Sequence, residues 1–202
     1  MKHAVADGRT RRGLANRKAI IEAAKEIFIS KGYRDSTMMD ISKKAGVGYG
    51  TLYTHFKGKD DILWSLFKTV ADDFNQTVYK PFKPTAIEEV EKRQNHEIMH
   101  LMKLAIKHRQ ILRITYHAMG HSEMIKNKLD ELFQQYIEKS ISDYSYSRKK
   151  GLSKKNLEPQ IAAKAIVYMV KEFFWDVVFE KEENLEVLSR DITTLYLHGA
   201  YQ

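Results

Sequence analysis

The 202-residue sequence predicts an all-α chain, with a small N-terminal part of three helices and a larger C-terminal helical part. Three observations predict it. Apolar residues recur at i, i+3 and i+4 along nearly the whole chain. No segment alternates apolar and polar residues between turn signals, as a half-buried strand would. Only 3 prolines and 10 glycines stand against 43% hydrophobic and 11% aromatic residues, which argues for packed helices and against a disordered chain. The chain has no cysteine, so disulfides and thiolate ligands are excluded, and a reducing cytosol is expected. The opening run MKHAVADGRTRRG has no apolar core of signal-peptide length. No apolar stretch approaches the ~18 residues a membrane helix needs. A cytoplasmic location follows as an expectation.

The elements follow in order. Over 17–31, Ile20, Ile21, Ala24, Ile27 and Phe28 share one face while Lys18, Glu22, Lys25 and Glu26 fall mostly on the other. Gly32 stops this helix. Thr37 is the N-cap expected for the next helix, with Asp40 three positions on facing its positive end. Gly46 supplies a tight turn, since positive φ costs glycine little. Val47, Leu52 and Phe56 form the small core of a second short helix over 48–55. Lys59-Asp60-Asp61 opens a longer helix through Ile62, Leu63, Leu66, Phe67, Val70 and Phe74, ending near Pro81–Pro84. Further helices are expected at 87–107, 109–119, 122–144, 159–180 and 184–198, with Ser122 as an N-cap and Pro159 at a first helical position. Residues 145–158, SYSRKKGLSKKNLE, read as the clearest long loop.

Charge divides the chain unevenly. The formal net charge is +8. Residues 1–60 hold 13 Lys and Arg against 6 Asp and Glu, a net of +7, so the remainder is close to neutral. Concentrated this way, the excess suggests an electrostatic footprint for a polyanion; a solvated basic face is the alternative. Two short helices hinged at Gly46, inside this basic third, form a helix-turn-helix. Its second helix would place Tyr49, Gly50 and Thr51 at an exposed N-terminal end, where a helix reads base edges in the major groove. Tyr53, His55 and Lys59 fall near its exit, where phosphates would pass and fix the register. Each has a plainer alternative: Tyr53 as a core ring with an exposed hydroxyl, His55 as a cap at the helix C-terminus.

The run Gly46-Val47-Gly48-Tyr49-Gly50-Thr51-Leu52-Tyr53-Thr54-His55-Phe56-Lys57-Gly58-Lys59 resembles the signature of TetR-family transcriptional regulators. The helix before it, with Ala23, Ala24, Phe28, Gly32 and Tyr33, is similar to that family's first helix. The motif covers roughly 17–64; beyond it the likeness is one of length and helical pattern. The resemblance implies a DNA-binding domain at 1–60 with a basic N-terminal arm (Arg9, Arg11 and Arg12), and a ligand-binding and dimerisation domain at 61–202. It implies DNA contacts from Thr37, Gly48, Tyr49, Gly50, Thr51, Tyr53, His55 and Lys59. The chain departs from the family pattern at Gly48, where a capping serine is frequent, and at Met39, where a polar residue often reaches DNA.

The resemblance also implies a homodimer on a palindromic DNA operator, released by a small apolar ligand. The helix at 159–180 is apolar on more sides than a surface helix requires, which favours dimer use. The interface is expected from Ile166, Met169, Val170, Phe173, Val177, Leu188, Ile192 and Leu195. A cavity is expected among Phe67, Phe74, Met102, Tyr116, Met119, Phe133, Phe173 and Phe174, because Met and Phe walls adapt their shape; taken singly, each of these residues also suits a plain core. A competing motif is His96-Glu97-Ile98-Met99-His100, which fits the H-E-x-x-H pattern of zinc hydrolases. Lys103 and Ile106 occupy the places of the glycine and third histidine of the extended motif. No enzyme, no resident metal and no cofactor are therefore expected. A metal-sensing regulator using His96 and His100, with His117 and His121 as a second i, i+4 pair, stands as an alternative. A C-terminal domain that docks a protein partner is another.

Overall fold

A computed structural model of the chain describes residues 8–182 and 184–201. Among these residues there are nine helices: α1 (Gly8–Lys31), α2 (Met38–Ala45), α3 (Tyr49–His55), α4 (Lys59–Val78), α5 (Ile87–Lys107), α6 (Arg109–Met119), α7 (Glu123–Lys149), α8 (Pro159–Val178) and α9 (Leu185–Ala200). The remaining regular pairing among them is an isolated antiparallel bridge, Ser153 with Tyr201. None of the described helices is long and apolar enough to cross a membrane.

The chain packs as two compact units. One holds the described residues through Thr69 together with Gln110–Lys126; the other holds Val70–Arg109 and the residues from Asn127 onward. In the first, Ile20, Ala24, Phe28, Ile41, Leu52, Ile62 and Leu63 are fully buried. Each of these Ile, Leu and Phe side chains stabilises the fold by roughly 1.5–3 kcal/mol before entropy is counted, and the Ala24 methyl by less. In the second, Met102, Leu129, Tyr144, Ala163 and Ile192 form the centre.

Two boundaries differ from those read in the sequence. Helix α1 begins at Gly8, where a basic arm was expected to precede a helix at 17. Residues 10–15, near its start, include no buried residue, and Leu14 is 64% exposed. A helix that buries nothing leaves no apolar period to read. Arg11 and Arg12 are exposed on this extension, whereas the Arg9 side chain lies outside the described residues. Helix α7 runs on to Lys149, into the predicted loop, because Tyr144 and Ser147 remain fully buried. Gly151, at φ 76°, ends the segment in a left-handed conformation that favours glycine. The connection that follows is pinned to α9: the Lys154 N–H donates to the Ala200 carbonyl (3.0 Å) and the Tyr144 hydroxyl to the same carbonyl (2.9 Å).

Candidate nucleic-acid interface

The reading helix is set by three successive local devices. The first is at Thr37. Its extended backbone (φ −123°, ψ 158°) precedes α2, and its hydroxyl accepts the Asp40 N–H at 3.1 Å. Asp40 returns the bond, accepting the Thr37 N–H at 3.1 Å and the Thr37 hydroxyl at 2.9 Å. This capping box satisfies donors that the helix start would leave unpaired. The Lys31 ammonium, 2.7 Å from Asp40, holds that carboxyl below the usual range, with the Thr37 hydrogen bonds acting in the same direction. The second device is Gly46. At φ 64° and ψ 28° it closes α2, its N–H reaching the Lys43 and Ser42 carbonyls, while the Ser42 hydroxyl donates to the Val47 carbonyl at 2.7 Å. The third is the buried Leu52, whose apolar side chain holds α3 to the first unit's core.

Everything else on α3 is left outward or half outward. Tyr49 and Tyr53 are each 45% exposed and meet as a T-shaped pair with ring centroids 4.9 Å apart and hydroxyls 3.2 Å apart. The shared hydroxyl contact is the main reason the Tyr53 phenol titrates above its ordinary range. Gly50 is exposed, and a side chain added there would meet nothing within 4 Å. Thr51 is half-buried, and the Thr54 hydroxyl is turned back onto the Gly50 carbonyl at 3.0 Å. Gly48 occupies the N-cap position without a side-chain bond, the local consequence of glycine where a hydroxyl would cap. His55 is half-buried, and its ring stands beside Gly13 of α1, where an added Cβ would lie 4.0 Å from Cε1. Arg17 lies with its guanidinium 4.6 Å from the Phe56 ring centroid and donates to Ser65 at 3.2 Å. Met39 is exposed.

Lys59 has an arrangement the sequence did not disclose. Its ammonium donates to the carbonyls of Tyr33 (2.8 Å), Arg34 (3.0 Å) and Ser36 (3.2 Å), and lies 4.5 Å from the Tyr33 ring centroid. An ammonium has three hydrogens, so all of them are committed to the α1–α2 turn. A backbone clamp on DNA was the expectation. In this structure the ammonium staples the α1–α2 turn of the first unit, hereafter the head. Asp60 and Ser122, which the sequence offered only as a first-turn acid and an N-cap, also meet here. No local signal could have paired residues so far apart in the chain.

In the second unit, the H-E-x-x-H string lies on α5. The Glu97 carboxylate accepts from Arg93 one turn earlier, and burial pushes its pKa up to about 6 against the lowering effect of Arg93 and Lys139. A base already held by a guanidinium is not free to activate water. The His96 and His100 rings are parallel, with centroids 6.5 Å apart, and His100 Nε2 is buried with no hydrogen-bond partner. Among the described residues no group of three or more His, Cys, Asp or Glu is arranged to hold a metal. His117 and His121 are both exposed.

The residues expected to line a cavity do not gather in one unit. Phe67, Tyr116 and Met119 belong to the first, and Phe74, Met102, Phe133, Phe173 and Phe174 to the second. Met102 is fully buried, Phe67, Phe74 and Phe174 are buried, and Tyr116 is 41% exposed. An open groove of about 560 Å³ on the second unit is lined instead by Met99, Lys103, Ile106, Asn184, Leu185 and Glu186. The expected interface residues also divide. Ile166, Val177, Leu188 and Ile192 are buried within their own unit and keep little or no accessible area to offer a partner. Met169, Val170 and Phe173 are half-buried, and Leu195 is 65% exposed. Ile161, Tyr168 and Val187, absent from the expected set, are exposed beside them in sequence. They project where the period of α8 and α9 points outward, a distinction that apolar content alone conceals.

A capped helix, a left-handed glycine and a short helix with one buried anchor and an exposed aromatic edge define a helix-turn-helix DNA-binding regulator. The family model for bacterial regulatory proteins of the tetR family matches residues 20–66, so the helix-turn-helix part of the chain is of that family's type. The Fatty acid metabolism regulator protein of Bacillus subtilis (strain 168) is 29% identical over 185 residues, covering 90% of this chain and 94% of that protein. Among solved structures, NalD, the secondary repressor of the MexAB-OprM multidrug efflux pump in Pseudomonas aeruginosa, has a TM-score of 0.74 at 20% identity, covering 93% of this chain and 97% of its own. The fatty acid degradation regulator FadR from Bacillus halodurans has a TM-score of 0.66 at 22% identity, covering 91% and 95%. These two likenesses extend the common fold through the second unit, the body, as well as the head. The relatives are transcriptional regulators, and this chain is a transcriptional regulator that binds DNA.

Proposed function

We propose that the protein is a homodimeric repressor that binds a roughly palindromic operator and is released by a small apolar ligand. The outward edge of α3 carries the reading: it is a short helix anchored by Leu52 with Tyr49, Gly50 and Thr51 left accessible at its start. Residues 1–60 serve as the DNA-binding domain and 61–202 as the ligand-binding and dimerisation domain. Tyr49, Gly50 and Thr51 face base edges, Tyr53 and His55 face the backbone, and Thr37 starts α2 where a phosphate passes. Lys59 acts on binding by holding the turn before Thr37. The protein performs no catalysis; the engagement of Glu97 by Arg93 supports that reading.

Dimerisation uses the exposed apolar positions of α8 and α9, chiefly Ile161, Tyr168, Val187 and Leu195, with Met169, Val170 and Phe173 beside them. A two-fold pair would set its reading helices ~34 Å apart, one turn of duplex. Two relatives named for fatty acid metabolism and degradation support an effector with a long hydrocarbon chain. Such a ligand requires only ~1–3 kcal/mol of coupling to shift operator occupancy.

Selection of bound sites from random duplexes tests the core of this reading. Enrichment of an inverted repeat is expected, with Thr51→Ala changing the preferred bases and Lys59→Ala weakening binding to all sequences alike. Addition of free fatty acids and their thioesters to the selected complex tests the effector. A protein that retains its operator at saturating concentrations of every chain length would refute that class.

A further inference from the structure

Asp60, the second residue of α4, joins two segments of the first unit. One carboxylate oxygen accepts the hydroxyl of Tyr33. The other accepts the hydroxyl of Ser122 at 2.6 Å. Ser122 and Tyr33 are both buried, so these bonds form with little competition from water. Burial, reinforced by the Asp60 charge, drives the Tyr33 phenol far above its ordinary range, so it remains a donor at any physiological pH. Ser122 also caps α7, its oxygen accepting the Ile125 N–H at 3.2 Å. On the other side of the joint, the turn from Tyr33 to Ser36 is closed by the Ser36 hydroxyl on the Tyr33 carbonyl (2.7 Å) and by the Lys59 ammonium on three carbonyls. That turn leads directly into Thr37, the cap of α2, and through Gly46 into α3.

We propose that Ser122 is a positioning residue for DNA binding: by holding Asp60 it holds the Tyr33–Ser36 turn, and with it the placement of α2 and α3. The α6–α7 corner thereby gains control of a reading helix from which it is distant in sequence. A hydroxyl suits the task because it donates to Asp60 and accepts from Ile125 at once, which neither a carboxylate nor a methyl group does. The inference rests on the DNA-binding reading and assigns that function a further residue remote from the duplex.

The test uses the full chain and a duplex selected by the wild-type protein, titrated at several salt concentrations. Ser122→Asp keeps an acceptor for the α7 cap but has no proton to donate, and it sets a like charge against Asp60. It is expected to weaken binding about tenfold or more. The slope of log affinity against log salt should stay unchanged, because no phosphate contact is lost. Adding Asp60→Asn to Ser122→Asp supplies an amide that donates to the new carboxylate while its carbonyl still accepts from Tyr33. This double variant is expected to recover most of the lost affinity, an outcome that general destabilisation would not produce. Wild-type affinity in Ser122→Asp, a slope reduced by about one, or a folded double variant no better than the single one would each overturn the proposal. If Ser122→Asp loses its helical circular dichroism, Ser122→Thr and Ser122→Ala replace it; Thr near wild type with Ala weak supports the proposal, and equal affinities overturn it. A wild-type protein that selects no duplex would overturn the DNA-binding reading itself, a failure distinct from these.

Discussion

Two regions handle partly buried charge in opposite ways. At the start of α4, Lys59 and Asp60 do not pair with each other. They reach neutral groups on other segments, three carbonyls of the α1–α2 turn and the hydroxyls of Tyr33 and Ser122. In the second unit, two partly buried pairs are matched one turn away on the same helix, Arg93 with Glu97 on α5 and Lys139 with Asp143 on α7, while Arg109 reaches Glu180 and the Val177 carbonyl across segments. Arg93 also covers the end of α4 by donating to the carbonyls of Thr77, Val78 and Lys80. Charges that reach across segments make joints, whereas charges matched within a helix chiefly neutralise one another. The first region should therefore govern geometry and DNA affinity, and the second should govern stability.

The largest effect expected from this contrast is at Arg93. Arg93→Ala leaves Glu97 without its guanidinium and takes a donor from three carbonyls, of which that of Thr77 keeps the Lys80 N–H. Breaking a buried pair costs ~3–5 kcal/mol, and residual solvent access places this one near the lower end. Denaturant unfolding followed by circular dichroism checks it; a loss below about 1 kcal/mol, the range of surface pairs, would remove the contrast.

Next comes pH. The folded-state pKa of Glu97 is raised from 4.5 to about 6, so the fold favours the protonated acid. Its favourable contribution is complete below about pH 4.5 and is lost as pH rises through about 6, some 2 kcal/mol in all. Asp143, raised chiefly by burial, acts in the same direction. Wild type should therefore lose about 2 kcal/mol relative to Glu97→Gln between pH 4 and pH 7. Parallel stability curves for the two proteins would show that Glu97 titrates as it does in the unfolded chain.

The smallest effects belong to the head. Thr37→Ala removes the reciprocal cap of α2 and should cost about 1 kcal/mol in thermal or denaturant unfolding. Lys59→Met should reduce DNA affinity about tenfold without altering the salt dependence, since its ammonium is committed to carbonyls. A fall of about one in that slope would restore a direct phosphate contact and narrow the difference between the two regions.

Much of the head was legible because its signals are local. Thr37 and Asp40 lie three residues apart, Gly46 marks its own turn, and Leu52 and Phe56 share a face at i, i+4. The candidate reading edge at Tyr49, Gly50 and Thr51 followed from the same spacing. The body was legible as helices but not as surfaces. Ile166 and Ile161 are equally apolar, yet one is buried and the other exposed, because neighbouring helices decide which side of α8 is covered. The start of α1 escaped detection for the opposite reason: a helix with no buried face has no period.

What the sequence determined by itself is the set of helices, their caps and breaks, and the basic charge gathered around a glycine hinge. Each depends on groups within about a turn of one another, where backbone geometry leaves few choices. Only tertiary structure decided that Lys59 turns inward to three carbonyls, that Asp60 meets Tyr33 and Ser122, and which faces of α8 and α9 remain uncovered. Those outcomes depend on packing between segments distant in the chain, and no residue's immediate neighbours specify them.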